Sequence, residues 1–444
     1  MNWSLLNIFS NFTYLRYSVG IAMIFNGFPL IFFIRDTLKI GPANSIFTAA
    51  FLALGLMLML PLSLFKRLYK PNTILLNLGL GFLLIMLYYF LFLNYTGKAV
   101  ADVGNFVFMF GFLILLLHVP NDVSDTLVTV LFILSLFANV TLVYSLLTDP
   151  NWSPGMRAAV SFSNDGAQPG GNPHITARNG VICIVTALVL MSRSTGIINK
   201  AFLFFSVLFS LGVVVLSLAK SSYIGIGLMT TAYFIFQFKV SSIFKAALNI
   251  FKFRSMVLVV VIIIGIRYFL NRYGDIFNLL LGYWDVFQDR IMDVIFTSFG
   301  VKLTESADVD YSAMGRVGGF ETFLNTFFSW DAFMGKGFKS DYLDVPILES
   351  FVAYGVIGFL FFASFNLFLF LFAIREIRRP TAAISTVLGY FYISLTILLI
   401  TGGRPSDIAF WFPYIAMIRF LGVRYFEKRE ELPVNENPLS AVPA

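Results

Sequence analysis

Residues 337–362 read GFKSDYLDVPILESFVAYGVIGFLFF, and this stretch decides between a soluble and a membrane-embedded fold. It opens with the carboxylates Asp341, Asp344 and Glu349 and then becomes almost entirely apolar. The apolar segment extends over 346–374. A helix needs about 20 such residues to cross the hydrocarbon core of a bilayer. The stretch therefore predicts a membrane-spanning helix with acidic residues at its start.

The rest of the chain has the same character. Of its 444 residues, 58% are hydrophobic and 12% are charged, and the mean hydropathy is +0.83. A soluble fold of this composition would lack the polar surface to cover its core. We predict an all-α polytopic membrane protein with about twelve transmembrane helices, at 14–34, 44–64, 73–93, 102–119, 127–147, 179–195, 200–218, 221–238, 255–270, 346–374, 381–401 and 408–425.

Composition and motifs also exclude several classes of protein. The single cysteine, Cys183, excludes an intramolecular disulfide and argues against a thiolate metal site. The net charge of +7 is not gathered into a basic stripe, so we expect no nucleic-acid partner. No phosphate-binding loop, dinucleotide fingerprint or nucleophile elbow occurs. We expect neither a cofactor nor a metal, and no cleaved signal peptide.

Lysine and arginine are unevenly distributed between alternate loops. One set of loops carries Lys66, Arg67, Lys70, Arg193, Lys200, Lys239, Lys245, Lys252, Arg254, Arg375, Arg378 and Arg379, and the C-terminal tail adds Arg424, Lys428 and Arg429. The positive-inside rule places this side, and both termini, in the cytoplasm. The predicted regions are helices in 1–147, an outer loop 148–178, helices in 179–270, a larger outer loop 271–345, helices in 346–425, and a tail 426–444.

The larger outer loop contains two apolar patterns with a helical period. One has Asp285, Asp289 and Asp293 spaced by four among aromatic and aliphatic residues. The other places aromatic and aliphatic residues on one face, namely Phe320, Phe323, Leu324, Phe327 and Phe328. Both predict amphipathic helices at the membrane interface. Such helices would either cap the bundle or act as a lid over an active site.

Several cations fall on the predicted outer side: Arg157, Arg178, Lys220, Arg290, Arg316 and Arg404. Guanidinium groups match phosphate oxygens, and lysine supplies a point charge, so the set would suit a lipid-linked phosphate or diphosphate. The alternative for each of these cations is that its side chain simply extends to the membrane–water interface and binds no ligand. The larger loop has eleven acidic against six basic residues, so its arginines would act as individually placed groups. An acidic surplus also suits a hydroxyl-rich ligand.

The order of four motifs between about 150 and 375 is similar to that of a known family. The first outer loop ends in GGNPHITARNGV, and a later span begins with AKSSYIGIG, where Lys220 stands in place of the usual arginine. The second loop contains Gly315-Arg316, Trp330 and Gly335-Lys336-Gly337, and the following helix reaches Gly355 and Gly358. This layout resembles the O-antigen polymerase and ligase superfamily, of the Wzy and WaaL types.

The resemblance implies an integral-membrane glycosyltransferase that is independent of metal and of nucleotide sugars. Its donor would be an oligosaccharide on undecaprenyl diphosphate, used at the periplasmic face of the bacterial inner membrane. A chain-length regulator is a possible partner, besides membrane lipid. The side chains implied to hold the diphosphate are Arg157, Arg178, Lys220, Arg316 and Arg290.

Asp344 separates the two branches of the superfamily. It stands eleven residues before Gly355, where ligase-like sequences place a histidine, and no histidine follows His174. This favours the polymerase over a ligase; a flippase for lipid-linked oligosaccharides is a further alternative. Asp344 or Asp341 would accept the proton of the acceptor hydroxyl, with Arg316 assisting catalysis. Asp344 would otherwise be a helix N-cap.

Three further residues are candidates for contacts with the acceptor sugar: Glu349, His174 and Arg404. His174 would act as a base or, alternatively, order its loop. Gly355 and Gly358 are expected to permit close helix packing.

Overall fold

The computed structural model describes residues 5–42, 45–61, 68–95, 97–149, 173–238 and 311–431, with isolated positions between 152 and 282. Throughout these residues the regular secondary structure is helical, apart from one bridge between Asn94 and Phe338. The N-terminal and central helices are α1 (Leu5–Asn26), α2 (Phe28–Phe32), α3 (Ser45–Met59), α4 (Thr73–Phe92), α5 (Ala99–Leu117), α6 (Ser124–Thr148), α7 (Pro173–Arg193), α8 (Ile197–Ser217) and α9 (Lys220–Phe236). The C-terminal helices are α10 (Tyr311–Phe327), α11 (Asp331–Met334), α12 (Pro346–Arg378), α13 (Ala383–Leu395), α14 (Leu398–Thr401), α15 (Ile408–Phe420) and α16 (Arg424–Glu431).

Seven helical segments of the described chain are long and apolar enough to cross a membrane, or eight if the bent α1–α2 pair is one span. This confirms the predicted polytopic helical class. Twelve spans are not confirmed. Helices α3 and α15 have 15 and 13 residues and are shorter than a full crossing. The span predicted at 255–270 lies, except for isolated positions, outside the described residues.

The first predicted span, 14–34, is not one helix. Its two parts, 11–26 and 28–37, meet at an angle of 78° on either side of Gly27. Pro29 lies in the first turn of α2 and has no backbone N–H, so the helical hydrogen bond from residue 29 is lost. A Cβ on Gly27 would lie 1.9 Å from the carbonyl oxygen of Met23, so the bend also requires glycine here.

An aromatic cluster joins α4, α12 and α15. Phe82 stacks at 6.0 Å from Trp411, and Phe365 stacks on the same indole at 5.9 Å. Tyr354 meets Phe82 edge to face at 5.4 Å. All four side chains are at most 1% exposed. The cluster fixes the position of α12 against α15, whose first residues line the site described below.

A polar network joins α1, α6, α7 and α8 inside the bundle. Asn26 donates to Ser135 Oγ at 3.1 Å and to Asn179 Oδ1 at 2.6 Å. Asn179 donates in turn to Asn139 Oδ1 at 2.7 Å, and Asn139 donates to Ser210 Oγ at 3.0 Å. Lipid tails are as apolar as the helix surfaces, so the hydrophobic effect does not drive helices together inside a bilayer. Hydrogen bonds such as these therefore hold the four helices in one register.

Charged residues gather at one end of the bundle, which we call the site end; it contains Leu93–Tyr95, Lys336–Asp344 and Gly402–Asp407. The N–H of Phe338 donates to the carbonyl of Leu93 at 2.8 Å, which joins the first two of these segments. The opposite end carries the exposed ion pairs Arg193–Asp125 and Arg375–Glu427.

Candidate functional site

The chain at the site end is held by a break in α12. Gly355, inside this helix, has φ +64° and ψ −171°, which interrupts the helical ladder. The N–H of Lys336 donates to the carbonyl of Val352 at 2.8 Å, and the N–H of Gly337 donates to that of Ala353 at 2.9 Å. The segment before α12 therefore takes the place of the missing turn and is fixed against the bundle.

Gly355 and Gly335 are required for this contact. Both have positive φ, +64° and +70°. A Cβ on Gly355 would lie 2.3 Å from the carbonyl oxygen of Phe333, and one on Gly335 would lie 2.5 Å from that of Ala353. The close neighbour of Gly355 is Phe333 of the short helix α11, which confirms the prediction that this glycine permits close packing between helices.

Asp344 does not cap α12. The capping position is Val345, and no side chain caps the helix there. Asp344 has a left-handed φ of +56°, and its Oδ1 accepts from the Tyr342 hydroxyl at 2.8 Å and from the Gly403 N–H at 3.2 Å. The N-cap interpretation is therefore wrong. The carboxylate instead ties the loop before α12 to the turn before α15.

Glu349 and Arg404 form the most buried ion pair of the site. Glu349 is 1% exposed, and its Oε1 lies 3.4 Å from Nη1 of Arg404. Its other oxygen accepts from the Leu343 N–H at 3.2 Å. The guanidinium of Arg404 also lies 4.9 Å from the ring centre of Tyr342. Both oxygens of Glu349 are thus engaged within the protein, so a direct sugar contact would require this loop to move.

Two lysines of the same loop are paired with acids. Lys339 Nζ lies 2.5 Å from Oδ1 of Asp102, whose residue is 3% exposed. Lys336 Nζ lies 3.2 Å from Oδ2 of Asp341 in a half-exposed pair. These pairs neutralise most of the cationic charge of the loop, so the loop does not present a free positive surface.

A pocket of about 250 Å³ opens beside this cluster. Its polar lining comes from α5, from the loop before α12 and from the turn before α15: Asn105, Lys339, Ser406 and Asp407. Its apolar lining comes from α2, α7 and α15: Phe28, Phe32, Ile175, Ile408 and Ala409. Phe28 and Phe32 face the pocket because the chain bends at Gly27, so the broken span forms one wall.

Asp407 is the carboxylate of this pocket, and the sequence reasoning missed it. Its Oδ2 accepts from the backbone N–H of Arg404 at 2.8 Å. Burial raises the pKa of the Asp407 carboxyl above its ordinary range, while that N–H and the charges of Lys339 and Arg404 offset part of the rise. The sequence signal that could have identified Asp407 is its position three residues after the candidate Arg404, within TGGRPSD.

Arg178, His174 and Ser221 lie together at the site end, in the first two turns of α7 and the first turn of α9. Arg178 donates from Nη1 to the carbonyl of Ala409 at 2.6 Å and lies 5.6 Å from the ring centre of Phe391. Its Nε is buried without a hydrogen bond. His174 Nδ1 is 3.3 Å from Ser221 Oγ. In the described part of the chain, no carboxylate pairs with Arg178.

These three side chains border a small cavity of about 20 Å³. That volume is enough for one water molecule. Lys220, the first residue of α9, precedes Ser221 directly. The predicted diphosphate ligands Arg178 and Lys220 and the predicted sugar contact His174 are therefore neighbours in space.

The remaining predicted ligands lie wholly or partly outside the described residues. Arg157 and Arg290 lie outside the described residues, as does the predicted helix with Asp285, Asp289 and Asp293. Arg316 lies in α10, but its side chain is also outside the described part. The other predicted interfacial helix is α10, where Phe323 packs on Phe351 of α12 at 5.3 Å. Phe328 follows its C-terminal end and is 84% exposed.

The site end has two parts, which differ in the charged side chains that the structure describes there. Around the pocket are the acids Asp102, Asp341, Asp344, Glu349 and Asp407, and the bases Lys336, Lys339 and Arg404. This part suits ligands that donate hydrogen bonds, such as sugar hydroxyls. The part around Arg178 has a partly buried cation and suits an anion. Within the described residues, no three His, Cys, Asp or Glu side chains are grouped to hold a metal ion.

Neither the scan against models of protein families nor the search of curated proteins gives a match to this chain.

Proposed function

We propose that this chain is an integral-membrane glycosyltransferase that joins oligosaccharide repeat units carried on undecaprenyl diphosphate, in the manner of a Wzy-type polysaccharide polymerase. The observation that carries the proposal is Arg178, a partly buried guanidinium whose Nε is buried without a hydrogen bond and which has no carboxylate partner among the described residues. An unpaired cation among membrane-spanning helices is costly, which makes Arg178 a candidate for a functional group. An anionic ligand would supply the missing counter-charge.

The two parts of the site match the two substrates of such a reaction. Arg178 and Lys220 would bind the donor diphosphate, together with Arg157, Arg290 and Arg316. Asp407, the carboxylate that lines the pocket, would bind the hydroxyl-bearing acceptor together with Asn105 and Ser406. Positive groups at the diphosphate stabilise the charge that develops as it leaves, so the reaction needs no nucleotide sugar.

The proposed location is the inner membrane of a bacterium, with the site end facing the periplasm and both termini in the cytoplasm. It rests on the excess of lysine and arginine in the loops at the opposite end. A chain-length regulator would be a protein partner of such a polymerase.

The decisive experiment supplies the purified full-length chain with lipid-diphosphate-linked repeat units, extracted from source cells that lack its gene. Glycans longer than one repeat unit, formed without lipid A-core, are the expected product. Unchanged substrate would count against the polymerase. Transfer only after addition of lipid A-core would identify a ligase instead.

A flippase is the second candidate, because two helices that approach the site are interrupted. The first is bent by 78° at Gly27, and α12 is broken at Gly355. Discontinuous helices are typical of transporters. In liposomes, a flippase would move the lipid-linked oligosaccharide across the bilayer without lengthening it. Lengthening without movement favours the polymerase.

A further inference from the structure

We propose that the pocket between α2, α5 and α15 binds the acceptor sugar and that Asp407 is the catalytic residue that takes the proton from its hydroxyl. This assignment rests on the proposed glycosyl transfer and names the group that performs its proton step.

The lining of the pocket fits a single sugar ring. Its volume of about 250 Å³ is just below the range of about 300–1,000 Å³ of typical ligand sites. The rings of Phe28 and Phe32 form an apolar wall, against which the C–H face of a pyranose can pack. Asn105, Ser406 and Asp407 face the same space with groups that accept or donate hydrogen bonds.

Of the five carboxylates described around the pocket, Asp407 is the one that lines it and is placed to act on a ligand. Both oxygens of Glu349 are engaged, and Asp102 is paired with Lys339. One carboxylate oxygen of Asp344 accepts two hydrogen bonds from the protein. Asp341 forms an ion pair with Lys336.

Asp407 accepts on Oδ2 from the Arg404 N–H. Its Oδ1 has no hydrogen-bond donor within the described chain and is not fully buried, so this oxygen remains for a ligand hydroxyl.

The electrostatic surroundings of Asp407 suit a base. Lys339 and Arg404 favour its ionised form, and burial opposes them. The other titratable groups close enough to interact with it are Glu349, Tyr342 and Tyr354. A base works best when its pKa approaches the working pH, and burial shifts Asp407 in that direction.

The proposed step balances as follows. The acceptor hydroxyl oxygen forms a bond to the anomeric carbon of the donor, and the bond from that carbon to the diphosphate oxygen breaks. The electron pair of the broken bond leaves with the lipid diphosphate. The hydroxyl proton passes to Oδ1 of Asp407 and then to water. No oxidant, reductant or second co-reactant is needed.

The test compares Asp407→Asn with the wild-type chain in the elongation assay with extracted lipid-linked repeat units. Asparagine keeps an oxygen for the Arg404 N–H but cannot take up a proton. We expect turnover to fall by about 10²–10⁴-fold, with undecaprenyl diphosphate bound within twofold of wild type. The wild-type rate should also fall at low pH as Asp407 is protonated. Asp125→Asn, an exposed aspartate at the opposite end, is the matched control and should keep full activity.

Each outcome decides the matter. Wild-type elongation with an active Asp407→Asn variant overturns the assignment of Asp407 and leaves the polymerase standing, whereas an inactive wild type overturns the polymerase itself. If Asp407→Asn does not fold, Asn105→Trp fills the pocket from α5 without changing the carboxylate. This variant must then lose elongation while keeping diphosphate binding; full activity would overturn the acceptor pocket.

Discussion

Lys339 Nζ lies 2.5 Å from Oδ1 of Asp102, which joins the loop before α12 to the first turn of α5. The pair is largely buried, with side chains 21% and 4% exposed. The loop that carries Lys339 also bears the carboxylates Asp341 and Asp344. Its position against α5 therefore determines the shape of the pocket.

Replacing Asp102 with Asn should destabilise the protein, because it leaves the Lys339 ammonium without its counter-charge. Breaking a buried ion pair from one side costs about 3–5 kcal/mol, and the partial exposure of Lys339 reduces this to about 2–3 kcal/mol. Thermal unfolding in detergent would measure the change. Asp125→Asn removes an exposed partner of Arg193 and should leave the melting temperature unchanged. Equal melting temperatures for Asp102→Asn and wild type would contradict the structural role of the pair.

Replacing Gly355 with Ala should disrupt the site end. The added Cβ would lie 2.3 Å from the backbone oxygen of Phe333 at a φ of +64°, so α11 would have to move. We expect a loss of at least about 2 kcal/mol, as for a strained backbone position with overpacking. Gly227→Ala is the control, since a Cβ there meets nothing within 4 Å. Alanine at 227 should be neutral or stabilising in a helix. Similar melting temperatures for both variants would argue against the close contact between Gly355 and α11.

Replacing Arg178 with Gln should separate activity from stability. The glutamine amide ends near the position of the arginine Nε, so the bond to the Ala409 carbonyl is lost, but the larger cost of an unpaired, partly buried charge is removed as well. The melting temperature should therefore stay unchanged or rise. Elongation should fall by about 10²–10³-fold, because the positive group at the leaving diphosphate is lost. Arg193→Gln, at the exposed opposite end, should change neither quantity. A lower melting temperature with a matching loss of folded protein would instead indicate a structural role for Arg178.

Asp407 should make folding stability depend on pH. Its folded-state pKa is raised, so the folded chain holds this proton to a higher pH than the unfolded chain. The stabilisation is complete below the unfolded pKa of about 3.9 and is lost as pH rises through the folded pKa. Melting temperatures measured upward from pH 4 should fall less steeply for Asp407→Asn than for wild type. Parallel curves for the two proteins would show that burial does not raise this pKa.

The sequence by itself determined the helical membrane class and the positions of the long helices. The predicted span 73–93 corresponds to α4, Thr73–Phe92, and its start was marked locally: the Asn72 side chain accepts from the N–H groups of Ile74 and Leu75. The predicted span 346–374 lies within α12. Apolar length and capping are properties of neighbouring residues, so they can be read along the chain.

Only the tertiary structure decided how the site is assembled. Lys339 and Asp102 are 237 positions apart, and Asp344 meets Gly403 from 59 positions away. Neither partner is marked in the local sequence. Gly27 and Gly355 belong to continuous apolar runs, and their breaks depend on what packs there, as the approach of Phe333 to Gly355 shows. Asp407 becomes a pocket carboxylate because these breaks and pairings place it beside Phe28, Asn105 and Lys339. Local hydropathy indicates how long a helix can be, because it depends on neighbouring residues alone. The pairing of distant charges depends on how the helices pack, which the local sequence pattern does not show.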